Sequence, residues 1–151
     1  MSTSSTSTTS PSPIPLTRLH TLTHEILATV FPPTTTSYNH ALTSSQNTEI
    51  INSLLGKILS EFSPSSGKGT GTGEGTGEGE GKGEGGYKWL VQSTIIQQTE
   101  EEGEGSVKRG MHSASGAYWN NERDGMWSCK WEGAEGRGFD VVVSVVWISV
   151  V

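Results

Sequence analysis

The chain has 151 residues, 31% of them hydrophobic, and a formal net charge of −6. That length sets one domain with tails, and without a basic stripe a nucleic-acid surface is excluded as its organising feature. The single cysteine, Cys129, excludes an internal disulfide and a cysteine-based zinc site, and it fits a reducing compartment.

The low apolar content is local. Residues 1–13 are nearly all Ser, Thr and Pro and read as a disordered tail. The domain is expected over 14–151. Within it, 63–86 is a Gly/Glu-rich flexible insert that a small fold tolerates, because loop-closure entropy grows slowly with length. No apolar run approaches the roughly 20 residues of a membrane helix, so no membrane insertion is expected.

In chain order, Leu16, Leu19, Leu22, Ile26, Leu27, Val30 and Phe31 recur at spacings of three and four. That period predicts a helix from Pro15 to Phe31, stopped by Pro32-Pro33. A second helix is predicted from about Ala41 to Phe62, with Ile50, Ile51, Leu54, Leu55, Ile58, Leu59 and Phe62 as a broad apolar stripe. Gly56 interrupts it, which suggests a close approach of helix to sheet. After the insert, Tyr87 to Gln98 alternates as a strand, with Tyr87, Trp89, Val91 and Ile95 on one face and Leu90 and Ile96 on the other. Thr99 to Arg109 is an acidic loop. Gly110 to Trp119 reads as a strand of small residues, Asn120 to Gly125 as a hairpin turn, and Met126 to Glu132 as a strand with Trp127, Cys129 and Trp131 on one face.

The last strand, from Phe139, is apolar on both faces: Phe139, Val141, Val143, Val145 and Trp147 against Val142, Val146, Ile148 and Val150. A sheet with one wet face would alternate apolar and polar, so this strand needs two covers. Helices supply one, and a second copy of the chain is the economical source of the other. The predicted fold class is α+β, with two N-terminal helices on one face of a four-stranded antiparallel sheet.

Candidate chemistry is sparse. Gly81, Gly83 and Gly86 match a dinucleotide fingerprint, but the match precedes a strand where the fingerprint must follow one. His20 and His24 have metal-capable i, i+4 spacing without the Glu of a zincin motif, and they read as helix-surface histidines. His112 with Ser113, Ser115 and Asp124 gives the alternative of a small hydrolase, against which neighbouring strand residues point to opposite faces. Cys129 reads as a buried small hydrophobe, and Trp119 as a candidate interface anchor. No metal, no cofactor and no enzyme activity is expected.

Thr36-Ser-Tyr-Asn-His40, Tyr87-Lys-Trp-Leu-Val91, Gly110-Met-His-Ser-Ala-Ser-Gly-Ala-Tyr-Trp119, Asp124-Gly125 and Lys130-Trp131-Glu132 together resemble the Tctex-type light chains of cytoplasmic dynein. The resemblance runs from about Leu16 to the end, broken by the insert. It implies a strand-exchanged homodimer in the cytoplasm, associated with the microtubule cytoskeleton. The crossing strand would be Met111, His112, Ser113, Ala114, Ser115, Gly116, Ala117, Tyr118 and Trp119. Its edge would take the dynein intermediate chain or a cargo protein as an added strand, in support of microtubule-based transport. Small residues there suit close backbone approach. The insert and the acidic loop are longer than the family's usual links, which leaves a Tctex-like adaptor outside dynein as a further alternative.

Overall fold

The computed structural model describes residues 12–62, 86–98, 114 and 116–150. Helix α1 spans Leu16–Val30 and helix α2 spans His40–Phe62. Pro15 is the residue before the first turn of α1, where its fixed φ suits the start and its carbonyl accepts from Arg18 and Leu19. Ile14 and Leu19 occupy the positions of a hydrophobic staple, and both are wholly buried in one cluster. Asn39 opens α2, its side-chain oxygen accepting the Ala41 N–H at 3.0 Å.

Three strands follow, β1 (Tyr87–Gln97), β2 (Gly125–Lys130) and β3 (Phe139–Ser149), in an antiparallel sheet of order β1-β3-β2. The last strand in sequence is therefore central. Its pairing with β1 runs without a bulge from Tyr87↔Ser149 to Gln97↔Phe139. β2 and β3 form a hairpin through a short 3-10 turn, Glu132–Ala134, and a turn with Gly136 and Gly138 at φ 75°.

The helices cover one face of β3. Phe139, Val141, Val143, Val145 and Trp147 are all buried on it, flanked by Val91 of β1 and facing Leu19, Leu22, Leu27, Ile50, Leu54 and Ile58 in one core. Phe31 closes an end of this core against Phe139 and Trp131, at ring separations of 5.1 and 5.7 Å. Arg18 ties α1 to α2 through Glu61, at 2.6 Å.

Two expectations change. Gly56 faces open space and lies on no close contact with the sheet. The close approach is made by Gly125 instead, where a Cβ would strike the indole of Trp147 across the β2–β3 pair. The sheet of the described residues has three strands, not four. Of the strand expected over 110–119, residues 110–113 and 115 lie outside the described residues, and Ala114 and Gly116–Trp119 form no part of the sheet.

Candidate functional site

Antiparallel pairing alternates residues that bond across with residues whose main chain points away. The bonds from Val150 N to Gly86 O and from Gln98 N to Gly138 O fix this alternation for β1. Its even-numbered residues bond to β3. The odd ones, Tyr87, Trp89, Val91, Ser93, Ile95 and Gln97, turn their N–H and C=O groups to the outer edge, where they meet no partner among the described residues. The bond from Trp131 N to Val141 O fixes β2 in the same way and leaves only Met126, Ser128 and Lys130 facing outward. The β1 edge is thus twice as long in unpaired groups. It carries a single charge, Lys88, and no proline or bulge, so the strand itself lacks the devices that discourage edge pairing.

An apolar rim runs beside that edge. α2 buries Ile50, Leu54 and Ile58, while Ile51, Leu55 and Phe62 are half-buried and Leu59 is exposed. Ile51, Leu55 and Leu59 recur at i, i+4 along one side of the buried stripe. α2 is the helix that packs on β1, and Trp89 and Ile95 of β1 are half-buried at the same rim.

Among the described residues nothing covers the face of the sheet away from the helices. Leu90, Val146 and Met126 stand in one cross-strand row, with Ile148 beside them. Leu90 is 53% exposed, Met126 48% and Ile148 41%. Toward the other end of this face the row becomes polar, with Lys130 3.0 Å from Asp140. A two-faced final strand was legible in the sequence, and no described element packs on its second face.

The remaining expected residues are placed as follows. Met111, His112, Ser113 and Ser115 lie outside the described residues. Ala114, Gly116, Ala117 and Tyr118 are exposed, and Trp119 is half-buried with its indole N–H donating to Asn121 at 3.0 Å. Asp124 is buried, and both carboxylate oxygens accept backbone N–H groups, from Asn120 at 2.8 Å and Ser149 at 2.6 Å. The Ser149 bond, then the Asn120 bond, hold its pKa below the usual carboxylate value. A carboxylate so engaged acts as a structural clasp between the turn at Asn120 and the end of β3.

His20 and His24 stack at 4.2 Å between ring centroids. The His24 pKa is lowered, first by burial and then by His20, with Glu132 opposing. No group of three metal-capable side chains occurs among the described residues. Cys129 is half-buried on the helix-facing side of β2, and burial pushes its thiol pKa up. Sequence reading missed Arg137, whose Nη1 donates to the carbonyls of Phe31 and Pro32 and whose guanidinium lies 5.7 Å from the Trp131 ring centroid. Its only sequence signal is a cation between two turn glycines.

Two helices on one face of an antiparallel sheet, with the opposite face and a long strand edge open, define a class of helix-on-sheet α+β domains. Within that class the chain belongs to the Tctex-1 family, whose family model matches residues 13–148. Over 64 residues it is 44% identical to a protein of Schizosaccharomyces pombe (strain 972 / ATCC 24843) named "Dynein light chain Tctex-type". The match takes in 42% of this chain and 52% of that protein, so the chain spans about half the length of the curated relative it matches. No helix among the described residues is long and apolar enough to cross a membrane.

Proposed function

We propose that the protein is a non-catalytic light chain of the cytoplasmic dynein motor complex, acting in the cytoplasm on microtubules. It binds the dynein intermediate chain, cargo peptides or both by β-strand addition and works as a strand-exchanged homodimer. The observation that carries this reading is the outer edge of β1, with its unpaired main-chain groups and the half-exposed rim of α2 beside them. Segment 110–119 of a second copy fits that edge, because its small residues permit close approach and its own far edge is left to receive a peptide. The bare row of Leu90, Val146 and Met126 gives the two copies a further apolar contact. Two peptide sites in one dimer turn weak strand contacts into avidity.

The test is a titration of the full chain with an intermediate-chain segment from the same organism, together with its mass in solution. Saturable binding at one peptide per protomer, by a dimer, is expected. Ser115→Pro removes a main-chain donor from the added-strand ladder and abolishes binding with the fold retained by circular dichroism. A folded monomer overturns the exchanged strand. A dimer that ignores the intermediate chain favours the second reading, a Tctex-like adaptor outside dynein. The feature behind that alternative is the long link from Phe62 to Tyr87, which precedes β1 in the chain.

A further inference from the structure

We propose that the cleft between the α1–α2 connection and the turn before β3 binds an oxyanion group, a carboxylate or a phosphate, independently of strand addition. The cleft has a volume of about 290 Å³ and is lined by Thr36, Ser37, Tyr38, Gln98, Arg137 and Gly138, among others. It sits at the Gln97 end of β1, away from the apolar row at Leu90.

Arg137 is the reason. Its Nη1 is held by the carbonyls of Phe31 and Pro32 at 3.1 and 3.2 Å, and its guanidinium lies over Trp131. Neither contact is a counter-ion, and no carboxylate lies within ion-pair distance of it among the described residues. Asp140, three residues on in the chain, is already engaged: one oxygen takes Lys130 at 3.0 Å and the other takes the Gln98 amide at 2.6 Å. The remaining guanidinium donors, Nε and Nη2, make no bond among the described residues.

The other lining groups add donors. The hydroxyls of Thr36 and Ser37 make no hydrogen bond among the described residues, nor do the backbone N–H groups of Gly136 and Gly138. A planar cation fixed before binding loses little rotamer freedom on meeting its ligand, and its fork matches carboxylate and phosphate geometry. The chain's net charge of −6 opposes an anion, so the attraction comes from the donors gathered in this cleft.

The test uses the full chain labelled with 15N. It is titrated with sodium phosphate and, separately, with sodium acetate, with sodium chloride at matched ionic strength as reference. Saturable shifts at the amides of Gly136, Arg137 and Gly138 are expected. Saturation by phosphate alone assigns a phosphoryl ligand, and saturation by acetate assigns a carboxylate. Arg137→Lys keeps the charge, loses the fork and is expected to weaken binding about tenfold. Because Arg137 also holds the end of α1, Ser37→Ala serves as the second variant, weakening binding severalfold without moving the unfolding midpoint. Shifts that chloride reproduces, or binding that Ser37→Ala leaves intact, overturn the proposal. Either result leaves the peptide titration and the dimer mass unaffected.

Discussion

Asp124 and Gly125 solve two problems at adjacent positions. Gly125 leaves room for the Trp147 indole in the facing strand, and Asp124 fastens the N–H of Ser149 near the end of β3. Gly125→Ala places a Cβ against that indole and is expected to cost about 1–3 kcal/mol, measured by urea unfolding. Gly56→Ala is the control: it enters open space on an exposed helix surface and is expected to stabilise by about 0.5–1 kcal/mol. The Asp124 clasp sets a pH dependence. Its carboxyl is lowered in the folded state, so the stability it contributes is full above the unfolded carboxylate value and is lost as pH falls through the folded one. Asp124→Asn is expected to flatten the acid limb of a stability–pH curve. His24 has the same sign at higher pH. Its lowered folded value means that stability declines as pH falls below the unfolded histidine value of 6.5, and His24→Gln should remove that decline.

The elements show which regularities a sequence can carry. Both helices lie within a residue or so of their expected bounds, because a 3.6-residue period and Pro32-Pro33 are local signals. The faces of β1, β2 and β3 follow the alternation read from the chain. The two faces of β3 differ in consequence, and one pair of variants separates them. Leu54→Ala, beneath the helix layer, is expected to cost about 2–5 kcal/mol in unfolding experiments. Leu90→Ser, on the open face, should leave the stability of the fold within about 0.5 kcal/mol, and in the proposed dimer it is expected to lower the mass in solution to that of a monomer.

At the scale of the molecule, the sheet is asymmetric in its unfinished surfaces. β2 offers a short edge ending in an ion-paired Lys130, whereas β1 offers a long unprotected one. The sequence reading placed the candidate site on the segment 110–119, of which 110–113 and 115 lie outside the described residues and the rest join no strand. The open edge of β1 was not legible, because strand order depends on pairing between segments far apart in the chain (Tyr87 with Ser149, for example), and no local pattern encodes it. Shortening the link between Phe62 and Tyr87 to half its length changes closure entropy by only about 0.6 kcal/mol. Such a variant is therefore expected to keep its unfolding midpoint within a few degrees, and the peptide titration on it tests whether the link influences partner choice.

The sequence by itself determined the helices, the strand faces, the α+β class and the family likeness. Each of these follows from the period of apolar residues or from short motifs read along the chain. Only the tertiary structure decided that β3 is central, that Gly125 rather than Gly56 marks the close approach, that Asp124 is a clasp, and that Arg137 stands over Trp131 at the end of α1. These depend on which distant segments meet, and a side chain's partners across space leave no periodic trace in the chain that carries it.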